Sequence, residues 1–267
     1  MDNNFNIPLE YLTDDEVAEL SKVVGRLEEV SKRDESQKDF MSFVKNVWPT
    51  FVEGSHHKIY AEKLQKVAEG KIKRLIVNMP PRHTKSEFAS YLFPSWLMGR
   101  KPDTKIIQAT HTAELAVGFG RKVKNLIDSD IYRDVFPDLA LASDAKASGR
   151  WSTSKGGEYY AVGVGGALAG RGADLCIIDD PVSEQDALSP TALDNIYEWY
   201  TSGPRQRLQP GGSIIIVMTR WSIRDLTAKV LAKQAEGGAD NWEVVEFPAI
   251  FPETDNVLWP EYWQKEE

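Results

Sequence analysis

Four short runs carry β-branched and other apolar side chains on successive positions: Leu75-Ile76-Val77, Lys105-Ile106-Ile107, Leu175-Cys176-Ile177-Ile178 and Ser213-Ile214-Ile215-Ile216-Val217-Met218. A strand with one wet face alternates polar and apolar residues, whereas an unbroken apolar run suits a strand covered on both faces. Between the runs lie helical stretches, Ala113 to Ile127 and Thr191 to Tyr200, the second behind a Ser189-Pro190 start signal. The expected fold class is α/β, a mostly parallel central sheet flanked by helices. A last strand, Trp242 to Glu246, leads into FPAIFPETDNVLWPEYW, whose prolines and aromatics read as an irregular packed tail.

Ahead of this pattern, Val17, Leu20, Val24 and Leu27 recur at helical spacing, and Thr13 with Glu16 supplies a capping box. The string SKRDESQKD, Ser31 to Asp39, reads as a solvated hinge, so a helical arm over 1–40 is expected before an α/β domain over 41–267. A chain of 267 residues, 42% of them hydrophobic, can bury one large core plus such an appendage. No apolar run approaches the ~20 residues that span a bilayer. The acidic amino terminus is unlike a secretory signal, so a cytoplasmic, non-membrane protein is expected. The one cysteine, Cys176, excludes an internal disulfide and a Cys-rich metal site. A net charge of -8 argues against a protein that coats nucleic acid with its whole surface, and leaves room for a local basic patch.

The chemistry concentrates where strands end. NMPPRHTKSEF, Asn78 to Phe88, follows the first run and closes on a Lys-Ser pair, as a phosphate loop does, but Met79 and Thr84 stand where that loop carries glycines. Lys85 would reach the β and γ phosphates and Ser86 would hold magnesium. Pro80 and Pro81 have no N–H, so donors must come from the amides of His83, Thr84, Lys85 and Ser86. Arg82 adds a cation. On the loop alone, a phosphate site and a polar helix start fit equally. The run ending Ile177-Ile178-Asp179-Asp180 decides for the first: Asp179 suits the metal side and Asp180 a base that orients water. Thr219, after another apolar strand, is placed to sense the γ phosphate, or else to cap a turn. Arg171, in Ala169-Gly170-Arg171-Gly172, reads equally as an arginine finger and as a salt-bridged loop residue.

With these elements in this order, the sequence resembles the ATPase domain of the large terminase subunit of tailed bacteriophages, the motor that moves double-stranded DNA into the procapsid. PPRHTKSE (Pro80 to Glu87), GRGADLCIIDD (Gly170 to Asp180) and PGGSIIIVMTRW (Pro210 to Trp221) carry the resemblance. It implies a P-loop NTPase fold of the ASCE type, with ATP and Mg2+ as ligands. The loop Pro81, Arg82, His83, Thr84, Lys85 and Ser86 is then a variant Walker A that binds ATP. Asp179 is the Walker B metal carboxylate, Thr219 the coupling residue, and Arg82 and Arg171 the charge-stabilising arginines, Arg171 acting on a neighbouring subunit. Asp180 stands where many terminases carry glutamate, which leaves Glu184 as a second candidate for the base. Trp48 to His57, WPTFVEGSHH, resembles the adenine-packing segment, although ordinary core aromatics fit that stretch as well.

The resemblance further implies a five-membered ring, a portal protein and a small terminase subunit as partners, and work in the host cytoplasm and transiently at the procapsid portal. The RNase H-like nuclease domain of full terminases is expected to be absent. The other readings are a helicase-like P-loop ATPase, for which 267 residues leave no second motor domain, and a nucleotide-binding scaffold in which Thr84 and Asp180 mark a decayed site.

Overall fold

The computed structural model describes residues 13–237 and 240–265; the first twelve residues of the expected arm lie outside them. Helix α1 (Asp14–Lys38) opens on the capping box, with both Thr13–Glu16 bonds present. The stretch expected as a hinge continues this helix. Its Lys, Arg, Glu and Gln residues are good helix formers, and its far end is docked: Ser36 is buried and accepts from Trp96 Nε1 at 2.9 Å, while Gln37 donates to the Val135 carbonyl. The break comes at Asp39, whose carboxylate caps α2 (Phe40–Val47). Nearer the start of α1, Val17, Leu20, Val24 and Leu27 are exposed.

The remaining elements are α3 (Ser55–Ala68), β1 (Arg74–Asn78), α4 (Phe93–Arg100), β2 (Lys105–Thr110), α5 (Ala113–Ile127), α6 (Asp130–Val135), β3 (Arg150–Ser152), β4 (Glu158–Gly163), β5 (Ala173–Asp179), α7 (Pro190–Ser202), β6 (Leu208–Met218), α8 (Leu226–Ala235) and β7 (Glu243–Glu246). The strands form one sheet in the order β3-β4-β2-β5-β6-β1-β7, parallel throughout except for β3 against β4.

The unbroken apolar runs are explained by what covers each face. Leu75, Val77, Leu175, Ile177, Ile215 and Val217 face a core built with Phe40, Tyr60, Phe88 and Trp96. Ile76, Cys176, Ile178, Ile214, Ile216 and Met218 face a second core with Leu193, Ile196 and Val230 of α7 and α8. Burial pushes the Cys176 thiol up to about 12. In register, Asn78 pairs with Met218, and Val217 pairs with both Val77 and Asp179. The carboxyl ends of β1, β6 and β5 are therefore level, with β6 in the middle, and the loops leaving them meet on one edge.

Candidate functional site

The loop between β1 and the next helix turns through two left-handed residues, Arg82 at φ 59° and Thr84 at φ 66°. For β-branched Thr84 that conformation is an outlier, costing of order 1–3 kcal/mol unless its surroundings impose it. Helix begins at Lys85 and runs to Arg100, with a π-helical segment, Glu87–Leu92, inside it. Pro94 explains that segment: it has no N–H for the Ser90 carbonyl, and its ring would crowd that carbonyl in an α turn. Phe93 N–H reaches back to Phe88 instead.

This helix start meets the acidic end of β5. Lys85 Nζ lies 2.7 Å from Asp180 Oδ2. The Ser86 hydroxyl donates to Asp179 Oδ1 at 3.0 Å and the Ser90 hydroxyl to Oδ2 at 2.7 Å; Gln108 Nε2 donates in turn to Ser90. Asp179 is almost fully buried, and its carboxyl is held above the usual carboxylate range, by burial first and then by the charge of Asp180. Asp180 takes a left-handed φ of 41° and spends its other oxygen on the Thr219 N–H at 2.8 Å. Thr219 Oγ1 donates to the Met79 carbonyl at 3.4 Å, which closes a circuit through the ends of β1, β5 and β6. Magnesium takes hard oxygen donors and draws most of its shell from water and substrate phosphates. The Ser86 hydroxyl and Asp179 carboxylate are donors of that kind, and no group of three or more His, Cys, Asp and Glu side chains offers a metal site among the described residues.

Of the other expected site residues, Pro81 and Arg82 are exposed, and His83 donates from Nδ1 to the Pro81 carbonyl while stacking on Trp263 of the tail. Glu184 is exposed on the turn after β5. Arg171 is not brought to Lys85 within one chain. It precedes β5, and its guanidinium stacks 4.5 Å over the ring of Tyr160 in β4, level with Cys176 in the middle of β5 and not with the strand ends. In the stretch Trp48 to His57, both histidines are buried, and His57 and Phe51 pack on Phe88. A cleft of about 900 Å³ opens elsewhere, between Pro80-Pro81 and the loops after β6 and β7, walled by Trp221, Ile223, Phe247 and Phe251.

Sequence reasoning missed Ser90, Gln108 and Tyr60, whose hydroxyl donates to the Lys85 carbonyl at 2.9 Å. The spacing of Ser86 and Ser90 put them on one helix face and was the available signal; for Gln108 and Tyr60 there was none short of the fold.

The buried histidines give the molecule a pH signature. Burial first, and then a neighbouring histidine, depresses His56 from 6.5 to about 4 and His57 from 6.5 to about 3. The unfolded chain therefore takes up two protons near pH 6.5 that the fold refuses, and stability is lost as pH falls through that value. Asp179, raised, binds its proton in the fold first and offsets one of the two. The urea midpoint is expected to fall from pH 6.5 toward about 4 with a net slope near one proton. His56→Phe should flatten it, and an unchanged slope in that variant would contradict the assignment.

No family model and no curated protein matches the sequence. Among solved structures, the HK97 bacteriophage large terminase superposes with a TM-score of 0.51 at 12% identity, over 86% of this chain. The chain spans 47% of that protein's length. A large terminase ATPase domain from a Thermus phage gives a TM-score of 0.49 at 15% identity, over 81% of this chain and 87% of that one. The large terminase of a thermophilic bacteriophage, in complex with ADP, gives 0.41 at 16% identity, over 70% and 45%. The likeness is one of fold.

Proposed function

We propose that this chain is a large-terminase-type ATPase domain that binds ATP with Mg2+ and hydrolyses it to drive double-stranded DNA into a procapsid. The observation that carries the reading is the double contact between two strand ends: Lys85 on Asp180 and Ser86 on Asp179. A lysine and a hydroxyl after one strand, facing two carboxylates one strand beyond its neighbour, are the parts that phosphoryl transfer uses. The chain would divide into an arm over 1–40 and the ATPase domain over 41–267.

In this reading Lys85 leaves Asp180 for the β and γ phosphates, and the amides of His83 to Ser86 line the phosphate chain. Ser86 and Asp179 would hold the magnesium, which would offset the charge of the phosphates. Asp180, freed of its cation, orients the attacking water, with Glu184 as the other candidate. Thr219, bonded to Asp180, carries the change toward α8. The base and ribose lie in the apolar cleft beside Pro80 and Pro81 rather than against Trp48 to His57. Arg82, exposed on the loop, and Arg171, stacked on Tyr160 within its own chain, would stabilise developing charge, Arg171 from a neighbouring subunit of a five-membered ring. Portal protein and small terminase subunit are the proposed partners, and the host cytoplasm the proposed setting.

Steady-state phosphate release with magnesium, across a range of protein concentrations, tests the reading. Total turnover should rise more than linearly with protein concentration as subunits meet. Arg171→Ala should remove that rise, a loss of about 10³-fold where the ring is assembled, while sparing the dilute protein. Equal loss at every dilution would refute the action across subunits, and nucleotide binding without turnover under any condition would favour a scaffold.

A further inference from the structure

The phosphate loop carries a threonine where positive φ would ordinarily call for glycine, and the structure contains a device that holds it there. Gly54 N–H donates to His57 Nδ1 at 2.8 Å. A ring nitrogen that accepts an N–H bond carries no proton, so the proton of the neutral imidazole sits on Nε2. That nitrogen lies 2.7 Å from Thr84 Oγ1 and donates to it, while the threonine hydroxyl donates onward to the His83 carbonyl at 2.6 Å. The chain of bonds runs in one direction, from the start of α3 into the loop.

The imidazole itself cannot swing. It is fully buried, stacked on Phe88 with centroids 5.2 Å apart, and met edge-on by Phe51 at 4.8 Å and by Trp259 at 4.9 Å. Gly54 is fixed too: a Cβ there would come within 2.7 Å of Trp259 and 2.9 Å of His56. A strained left-handed residue persists only when its surroundings over-determine it, and here they do so through one side-chain atom.

We infer that His57 is a positioning residue for phosphate binding, holding Thr84 left-handed through its Nε2–H so that the amides of Thr84 and Lys85 point at the anion. The inference rests on the ATPase reading for its ligand, but not for its geometry. His57→Phe keeps an aromatic ring in the cage and removes the donor. Thr84→Gly removes the need for the donor. His57→Gln can restore a donor toward Thr84.

Two measurements decide it: hydrogen exchange of the amides of residues 79–88 without nucleotide, and the affinity for Mg·ATP by calorimetry. Exchange in the loop should quicken at least tenfold in His57→Phe, and affinity should fall about 10- to 100-fold with kcat at saturation changed less. Both should recover in part in His57→Gln. The double variant His57→Phe with Thr84→Gly should match Thr84→Gly alone within about twofold. Loop exchange unchanged in His57→Phe, or a loss equally large in the Thr84→Gly background, overturns the inference and leaves His57 as core packing. Wild type that binds no nucleotide while the exchange results hold would instead overturn the ATPase reading.

Discussion

Replacing Lys85 by alanine is expected to lower magnesium-dependent ATP turnover by at least about a hundredfold, the scale on which removal of one preorganised charge partner acts in transfer reactions. The argument comes from where the ammonium lies. Lys85 is almost wholly buried, at 6% exposure, and its ion pair with Asp180 spans two strand ends. In the proposed mechanism a cation so placed has two partners in turn, the carboxylate in the resting state and the phosphates in the occupied one. Its loss strips the first of its counter-charge and the second of its anchor. Phosphate release by wild type and variant at matched concentrations reads the effect directly. Turnover within a few-fold of wild type would remove the loop from the mechanism.

Asp179→Asn should act on activity and on stability with opposite signs. The carboxylate is buried beside Asp180 and its proton is held more tightly than in the unfolded chain, so near neutral pH the ionised form burdens the fold. An amide fills the same space without that charge: its oxygen still accepts from one of the Ser86 and Ser90 hydroxyls, and the other hydroxyl can turn to accept from its NH2. Melting temperature should therefore rise, by about 2–4 °C for each kcal/mol relieved. The gain should shrink as pH falls below the raised value, where the wild-type group is already neutral. Turnover with magnesium should fall by at least about a hundredfold, since a neutral amide is a poor partner for the metal. A variant that melts lower and still turns over would contradict both halves.

The parts of this fold that could be read from the sequence are those where burial is uniform along an element. Strands β1, β2, β5 and β6 were legible because both their faces are covered. Helix α5 was found with the bounds expected, because its capping threonine and its apolar spacing agree. Strand β4 escaped notice: near the sheet edge its burial is broken, with Glu158 exposed and Tyr160 half-buried. The hinge reading of Ser31 to Asp39 failed because charge was taken for solvation, whereas the docking of Ser36 is made by its backbone carbonyl, to which composition is blind.

At the site, Lys85, Ser86, Asp179 and Asp180 could be picked out because strand ends are where an α/β sheet gathers its ligand groups. What could not be read was which oxygen each would hold. Ser86 and Asp179 stand 93 positions apart, and the partnership of Gln108 with Ser90 depends on β2 lying beside β5. His57, which meets Thr84, lies in the stretch Trp48 to His57, read as an adenine-packing segment or as core aromatics, and neither reading points to the loop.

Cys176, the single cysteine of the chain, sits in the middle of β5 with no exposure and a thiol pushed up to about 12. The thiolate is the reactive species, so the folded protein is silent toward maleimides and iodoacetamides at neutral pH. No native residue has to be removed before fluorophores or spin labels are attached. A cysteine introduced at Ile223, exposed beyond the end of β6, would carry the whole signal. Whether the segment between Thr219 and α8 moves when Mg·ATP is added can then be read by spectroscopy on an otherwise unaltered chain.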